Sequence, residues 1–223
     1  MLSIVIPTYN SSVVLKQTIQ SVQGKAGVGE ILIVDGGSTD DTAQAAAELG
    51  ARCITAAKGR GSQLKAGAEA AVGAWLLFLH ADTVLEEGWE RRVGAFMNKP
   101  ENENRAGYFT FTLNEDTKAA RRLERVVARR CTWLGLPYGD QGLLIHQSLY
   151  EEVGGYADIP LMEDVDMVRK IGKDRLVPVP VRAVTSASKY QKSGYLKRML
   201  RNVSCLTLYF LGVSPERIVK LYG

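Results

Sequence analysis

The stretch "EILIVDGGSTDDTAQAAAELG", from Glu30 to Gly50, decides the fold class. Its first part is a short apolar run, rich in β-branched residues, that stops at Asp35 and two glycines, which predicts a buried strand over 30–37. Its second part has a Ser/Thr cap, early acidic residues and a terminal glycine, which predicts a helix over 38–50. A strand buried on both faces needs helices to cover it, so this unit indicates an α/β protein.

The same alternation runs through the first hundred residues. Buried strands are predicted over 2–7, 51–57 and 74–82, and helices over 12–23 and 61–73. Short connections between strand and helix are typical of parallel strands with crossover helices. The sequence therefore predicts a mostly parallel sheet flanked by helices.

Beyond residue 104 the pattern becomes irregular. The predicted elements are a strand over 105–113, an amphipathic helix over 117–130, a turn, strand and short helix over 138–156, a helix over 159–172, a strand over 174–187 and a long apolar helix over 193–213. The strand over 174–187 is placed at a sheet edge because of Pro178 and Pro180. We expect a single domain, 1–223, with a C-terminal helical extension.

Charge is divided unevenly along the chain. The net charge is +4, but residues 1–116 carry −4 and residues 117–223 carry +8. This asymmetry fits either an anionic partner near the C-terminal half or a pair of solvated basic helices. The three cysteines form no CxxC pair, which excludes a cysteine zinc cluster and favours reduced thiols. With no secretory signal in view, we expect a cytoplasmic protein.

Nucleotide-binding motifs of the two commonest kinds are absent. No GxGxxG follows the first strand, and no GxxxxGK[ST] occurs. Ligands of open parallel sheets bind beyond the carboxyl ends of the strands. The polar residues that follow the predicted strands are Thr8, Tyr9, Asp35, Gly59, Arg60, His80 and Asp82.

Five segments in order resemble family 2 glycosyltransferases of the GT-A fold. They are "SIVIPTYN", "ILIVDGGSTDDT", "KGRGSQLKAGAEAAVGAWLLFLHADT", "GDQGLLIHQSLYEEVGGY" and "PLMEDVDMVRKI". The sequence HAD in place of DxD, and the tail "YFLGVSPERIVKLY", resemble a subgroup of small transferases associated with radical-SAM, selenodomain or arsenosugar-biosynthesis genes.

This resemblance implies an activity and a division of the chain. The activity is transfer of a sugar from a nucleotide-diphosphate donor, a UDP-sugar, to an acceptor hydroxyl, with inversion and a metal ion. The implied division is a nucleotide-sugar-binding half over 1–104, an acceptor half over 105–192 and C-terminal helices over 193–223. The acceptor would be a small molecule or a lipid-linked one, and no nucleic acid is implied.

The resemblance also assigns the donor site. It implies that Asp35, with Gly36 beside it, accepts a hydrogen bond from the nucleotide base, although an Asp before two glycines also suits a simple turn. Arg60, between glycines at a helix start, would contact the diphosphate or shape the base pocket, or would be a solvated arginine. The residues expected to complete this side are Pro7, Thr8 and Tyr9 as a floor beside the base, and Gln63.

A nucleotide-diphosphate leaving group carries charge that a divalent cation, Mn²⁺ or Mg²⁺, would neutralise. Many relatives hold it with DxD, where this chain has His80, Ala81 and Asp82. Asp82 is the expected ligand. His80 would bind Mn²⁺ through its imidazole, or would hydrogen-bond the sugar or a metal-bound water.

The general base is implied by "LMED". Asp164 would deprotonate the acceptor hydroxyl, with Glu163 as its neighbour or as an acceptor contact. Acidic residues at a helix start also complement the helix dipole without any catalytic role. The segment Gly139, Asp140 and Gln141 is expected on the acceptor side, and Asp140 is the alternative base.

Two other functions and two roles for the C-terminal helix stay open. A nucleotidyltransferase would carry a glycine-rich basic first loop, which "IPTYNSS" lacks, and a non-catalytic nucleotide-sugar-binding module would not need Asp164. The uncharged run 203–213 is too short to span a bilayer. It follows Lys189, Lys192, Lys197, Arg198 and Arg201, so 193–213 fits an interface helix, but we favour packing in the core or in a homodimer.

Overall fold

The computed structural model describes the backbone of residues 1–222 and the side chains of 1–188, 190–191 and 194–220. Within this part, the strands are β1 (Leu2–Thr8), β2 (Val28–Asp35), β3 (Arg52–Thr55), β4 (Trp75–Phe78), β5 (Thr83–Leu85), β6 (Ala106–Leu113), β7 (Leu143–His146) and β8 (Leu176–Thr185). The helices are α1 (Ser12–Val22), α2 (Thr42–Glu48), α3 (Arg60–Ala70), α4 (Trp89–Met97), α5 (Lys118–Leu134), α6 (Gln147–Glu152), α7 (Glu163–Ile171), α8 (Ser188–Ser193), α9 (Tyr195–Phe210) and α10 (Pro215–Tyr222). Short 3₁₀ turns cover Pro100–Asn104, Gly139–Gln141 and Lys173–Arg175.

The described strands form one sheet in the order β3-β2-β1-β4-β7-β6-β8-β5. β1 pairs in parallel with β2 and with β4, and β2 pairs in parallel with β3. β7 runs antiparallel between β4 and β6, and β8 runs parallel to β6. The predicted α/β class, with a mostly parallel sheet flanked by helices, is confirmed.

The two faces of β1 carry two separate parts of the core. All seven residues of β1 are buried, as expected of a strand covered on both faces. Ile4 and Ile6 belong to the cluster that includes Leu15 and Ile19 of α1, whereas Val5 belongs to the cluster on the α3 side. The alternation follows from the two-residue repeat of a strand, which sends neighbouring side chains to opposite faces.

Helix α3 lies unusually close to the sheet, and Gly67 allows this. A Cβ on Gly67 would lie 2.3 Å from Val5 Cγ1 and 2.9 Å from Val34 Cγ2, which no real side chain tolerates. Because α3 is held this near to β1 and β2, its first residue, Arg60, is fixed beside the carboxyl ends of those strands.

Several predicted boundaries were wrong, and three of them have a clear physical cause. The strand predicted over 74–82 ends at Phe78, and a turn follows in which the His80 carbonyl accepts the Thr83 N–H at 3.2 Å. The helix predicted over 38–50 begins only at Thr42, because the Asp40 carboxylate accepts hydrogen bonds from the backbone N–H and the hydroxyl of Thr42. The helix predicted over 159–172 begins at Glu163, since Met162 adopts a φ of 68° outside helical geometry.

The prediction that the strand over 174–187 lies at a sheet edge is wrong, because β8 lies between β6 and the edge strand β5. The edge strand β5 pairs with β8 through Ala183, Val184 and Thr185. Pro178 and Pro180 lie outside this pairing, so their missing N–H groups cost no bond to β5.

The C-terminal apolar segment is not one core helix. Gly194, at a φ of 81°, separates α8 from α9, and α10 follows Ser214. Cys205 is the buried residue of α9, while Leu196, Leu200 and Val203 are more than half exposed. The predicted packing of 193–213 in the core therefore holds for one face only, where Leu206, Leu208 and Tyr209 pack against core clusters. Of its predicted basic flank, the side chains of Lys189 and Lys192 lie outside the described residues. In the described part of the chain, no helix combines the length and the apolar character needed to cross a membrane.

Candidate active site

A cleft of about 780 Å³, its open mouth included, lies beyond the carboxyl end of β4. It is lined by Arg60, His80, Asp82, Tyr138, Asp140, Leu161, Met162, Asp164, Val165, Thr185, Ser186, Tyr190, Arg198 and Asn202. The cleft thus brings together His80 and Asp82, which follow β4, and Asp140 and Asp164, which are about sixty and eighty residues further along the chain.

Asp35 ends β2 as a buried and fully bonded carboxylate. Its Oδ1 accepts hydrogen bonds from the hydroxyls of Thr8 and Ser38, and its Oδ2 accepts the N–H groups of Gly37 and Ser38. Four donors match the capacity of an ionised carboxylate. Asp35 therefore holds the glycine turn in place, whatever else it contacts.

The side chain of Gln63, on α3, bridges the carboxyl ends of β1 and β2. It is 3% exposed, and its Nε2 donates to the carbonyls of Thr8 and Val34, both at 2.7 Å. The backbone of Gly36 lies on the same amide, since a Cβ there would be 3.1 Å from Gln63 Cδ. The amide nitrogen of Gln63 is therefore engaged with main chain, which makes this residue a support for the predicted donor site.

Tyr9 is the exposed member of the predicted floor. Pro7 and Thr8 are buried in the end of β1, while Tyr9 is 42% exposed and Lys58 Nζ lies 3.8 Å from the centre of its ring. An aromatic face with a cation beside it is chemically suited to a planar, anionic ligand.

Arg60 connects the two halves of the cleft. Its Nε pairs with Glu163 Oε1 at 3.0 Å, and its Nη1 lies 3.4 Å from His80 Nε2. Glu163 is almost fully buried, and desolvation raises its pKa above the usual range, with Arg60 opposing and Asp164 adding to the shift. Because Nε2 of His80 faces a guanidinium, that nitrogen is poorly placed to meet a second cation.

The turn that carries Asp82 is fixed by its own main chain. The Ala81 carbonyl accepts the Thr18 hydroxyl at 2.7 Å, and the Asp82 carbonyl accepts the Ser186 N–H at 3.3 Å. No group of three His, Cys, Asp or Glu side chains within the described residues forms a complete cation site. The donor set fits a cation shared with a diphosphate, in which Asp82 supplies a hard oxygen ligand and phosphate and water complete the shell.

Asp164 is held at the start of α7 by two backbone groups. Its Oδ2 accepts the Gly139 N–H at 2.9 Å, and its Oδ1 accepts the Val165 N–H at 2.8 Å. The carboxylate lines the cleft with its orientation fixed from both oxygens.

Asp140, unlike Asp164, has a carboxylate oxygen that accepts no hydrogen bond. Its Oδ1 is buried without a hydrogen bond, and desolvation raises the pKa of this carboxyl to about 6. The charges of Asp164 and Asp82 push in the same direction, whereas Arg130 and Arg60 oppose the shift. Asp140 therefore changes protonation close to neutral pH, which is a property of many catalytic carboxyls.

Of the segment Gly139, Asp140 and Gln141, only Asp140 lines the cleft. Gln141 is buried beneath it, where its Nε2 donates to the Phe109 carbonyl and its Oε1 accepts from Arg130. Gly139 packs against His80, because a Cβ there would lie 2.5 Å from His80 Nε2. These two residues hold the loop in place.

Sequence reasoning missed the cleft residues that the C-terminal helices supply. Arg198 and Asn202 reach the cleft from α9 and Tyr190 from α8, and Tyr138 also lines it. Arg198 Nε is buried without a hydrogen bond, and its guanidinium carbon is 5.1 Å from the centre of the Tyr190 ring. The four-residue spacing of Arg198 and Asn202 places them on one helix face, but only the fold shows what that face meets.

The family model for glycosyl transferase family 2 matches residues 3–157. This chain belongs to that family. PGL/p-HBAD biosynthesis glycosyltransferases of Mycobacterium tuberculosis and Mycobacterium bovis are each 39% identical to it over 110 residues, which cover 45% of this chain and 43% of theirs. The chain thus spans less than half the length of the curated relatives it matches.

Two solved structures share the fold. Glucosyl-3-phosphoglycerate synthase from Mycobacterium tuberculosis, in complex with Mn²⁺, UDP and glucosyl-3-phosphoglycerate, matches with a TM-score of 0.65 at 19% identity, over 96% of this chain and 80% of that one. S. aureus TarS matches with a TM-score of 0.63 at 16% identity, over 86% of this chain and 38% of that one. The expected GT-A fold is therefore confirmed.

Proposed function

We propose that this family 2 chain is a glycosyltransferase that moves a sugar from a UDP-sugar to an acceptor hydroxyl, with a divalent cation and with inversion. The observation that carries the proposal is the placement of Asp82, Arg60 and Asp164 around one cleft at the carboxyl end of the sheet. The neighbouring structures support the donor and the cation, since they were crystallised with UDP and Mn²⁺ or Mg²⁺.

The uridine would bind over the ends of β1 and β2. Tyr9 offers its exposed ring to the base, and an Asp35 oxygen would accept the imide N–H of uracil. Because Asp35 already accepts four hydrogen bonds, the base would share an oxygen with one of the existing donors. Its rigid hold on the turn would keep that oxygen in place.

The cation would be held by Asp82 together with the diphosphate. When bound, it would neutralise charge on the departing UDP. We assign His80 to the sugar or to the positioning of Arg60, because its Nε2 lies 3.4 Å from Arg60 Nη1. Arg198, with its buried Nε available, would bind an anionic group of the donor or the acceptor.

Asp164 would act as the base of a single displacement. The acceptor oxygen attacks the anomeric carbon and loses its proton to Asp164, while the bond from that carbon to UDP breaks. The two backbone N–H bonds fix the carboxylate for this task. Glu163 would act through Arg60 as a positioning residue, and Asp140 is the alternative base.

The finer family assignment rests on the sequence. We place the chain in the small radical-SAM, selenodomain or arsenosugar-associated subgroup because of HAD and the C-terminal tail, and we propose a cytoplasmic location. The proposed acceptor is a small molecule or a lipid-linked one.

The test is release of UDP from a panel of UDP-sugars, with Mn²⁺ or Mg²⁺, measured for the wild type and for Asp164→Asn. The proposal expects cation-dependent release from at least one UDP-sugar and its near loss in the variant. UDP binding without release under any condition would favour a non-catalytic binding module. Formation of a nucleotide-sugar from a sugar phosphate would favour a nucleotidyltransferase.

A further inference from the structure

Helices α5 and α9 form a surface that the rest of the described chain does not cover. A groove between them is lined by apolar side chains and by three arginines: Ala119, Leu123, Val126, Tyr195, Leu196 and Met199, with Arg122, Arg125 and Arg129. We call the exposed residues of these two helices, with Leu211 directly after α9, the α5/α9 surface.

Exposed apolar side chains are concentrated on this surface. Trp133 is 69% exposed and Leu200 is 56% exposed. Among the described residues, most of the exposed large apolar side chains belong to it, namely Val126, Trp133, Leu134, Leu196, Leu200, Val203, Phe210 and Leu211. Scattered apolar residues are normal on a protein surface, but exposed apolar side chains that flank an apolar groove between two helices mark a candidate interaction site.

The charges on the surface have one sign. Arg122, Arg125 and Arg129 are exposed, and no ion pair joins them to an acidic group within the described residues. By contrast, Arg121 pairs with Glu124 at 2.7 Å, and Arg130 turns inward to the Leu136 carbonyl and Gln141. Outward arginines beside exposed apolar side chains are typical of helices that lie in a lipid interface.

We propose that the α5/α9 surface docks on an anionic membrane. The three arginines would contact anionic headgroups, and Trp133, Leu200 and their apolar neighbours would enter the boundary with the acyl chains. A second copy of this chain fits less well, because a two-fold contact would bring the same unneutralised arginines face to face.

Docking would also orient the cleft. Arg198 and Asn202 line the cleft from α9, whereas Leu196, Leu200 and Val203 of the same helix are exposed. One helix therefore separates the two surfaces by its own thickness, about 10 Å. If the proposed transferase function holds, an acceptor embedded in the docked membrane lies next to the cleft, and the acceptor class is a hydroxyl on a lipid.

The test is co-sedimentation of the full chain with vesicles of phosphatidylcholine alone and with vesicles in which part of it is replaced by phosphatidylglycerol. We expect binding to the anionic vesicles, little binding to the neutral ones, and weaker binding as salt rises. Equal binding to both vesicles, or to neither, overturns the proposal.

Variants locate the contact. Replacing Arg122, Arg125 and Arg129 together with Gln is expected to weaken binding by ~10²-fold, since each basic residue near the surface is worth about five-fold. Leu200→Glu is expected to weaken it by about tenfold or more. The matched controls are Arg91→Gln and Val72→Glu, which change exposed side chains elsewhere and should bind as the wild type does.

Two further readouts separate this proposal from its alternatives. Circular dichroism and UDP-induced thermal stabilisation should be unchanged in the surface variants, so a loss of vesicle binding is not a loss of fold or of donor site. If the wild type does not bind vesicles but forms a dimer, and Leu200→Glu abolishes that dimer, membrane docking is overturned in favour of a homodimer. Vesicle binding in a chain that does not bind UDP would instead refute the proposed function alone.

Discussion

The predicted donor region at the ends of β1 and β2 and the predicted acceptor region of the cleft satisfy their buried polar groups to very different extents. On the predicted donor side, Asp35 accepts four hydrogen bonds and the amide nitrogen of Gln63 donates to two carbonyls. On the predicted acceptor side, Asp140 keeps a buried oxygen without a hydrogen bond and has a raised pKa. A region whose buried polar groups are hydrogen-bonded is rigid and suits ligand binding. A region in which burial and nearby carboxylates raise the pKa of a carboxyl suits proton transfer.

The largest expected effect comes from changing the acceptor side. Asp164→Asn keeps the size of the side chain but cannot take the acceptor proton, so turnover should fall by ~10²–10⁴-fold while UDP affinity stays near the wild-type value. The measurement is donor affinity by calorimetry beside UDP release on the same preparation. Asp140→Asn is the matched control, since it also removes a carboxyl from the cleft. If Asp140→Asn is inactive while Asp164→Asn turns over normally, the base is Asp140.

A change on the donor side should affect stability first. Gln63→Leu removes the donor that the carbonyls of Thr8 and Val34 share, and leaving buried carbonyls short of a partner should lower the free energy of unfolding by about 2–4 kcal/mol. Urea unfolding measures this loss. Gln17→Leu, on the exposed face of α1, should change it by less than about 0.5 kcal/mol. A Gln63 variant as stable as the wild type would show that the bridge is not structural.

The smallest effect is the pH dependence contributed by Asp140. Its pKa rises from 3.8, the value for a freely exposed aspartate, to about 6, so between these values the folded protein binds more protons than the unfolded chain. The free energy of unfolding should therefore fall as pH rises from about 4 to about 6, and then level off. Allowing for the partial exposure of the residue, the change is about 2 kcal/mol.

The control for this effect is the neutral variant. Asp140→Asn should remove this part of the pH dependence and be the more stable protein above pH 6 by a similar amount. Thermal or urea unfolding across that pH range decides the point. If the pH dependence of the free energy of unfolding is unchanged in Asp140→Asn, another group is responsible for it.

Local sequence signals predicted the N-terminal half of the fold well. The apolar runs 4–7 of β1 and 31–34 of β2 are uninterrupted, and the polar residues that follow them stand where the sheet topology requires. The signals failed where distant contacts decide. The uncharged run 203–213 is indistinguishable from a core helix until its neighbours are known, and it proved to be packed on one face and exposed at Val203, Phe210 and Leu211.

The candidate site was predictable in part for the same reason. Asp82 and Asp164 were recognisable from family motifs, and the cleft brings them together. Arg198 and Asn202 belong to no motif, and they reach the cleft only because α9 packs against Leu161, Val165 and Val168. The burial of Asp140 Oδ1 and the inward turn of Gln141 likewise depend on tertiary packing that no local pattern encodes.

The most direct test of the account is the binding of nucleotide diphosphates by calorimetry, with and without Mn²⁺, for the wild type and for Asp82→Ala. The account predicts that UDP binds more tightly than GDP, ADP or CDP, that Mn²⁺ strengthens UDP binding, and that Asp82→Ala remains folded and binds UDP equally with and without Mn²⁺. Binding that does not distinguish UDP from the other nucleotides, or a Mn²⁺ effect that survives in Asp82→Ala, would contradict it.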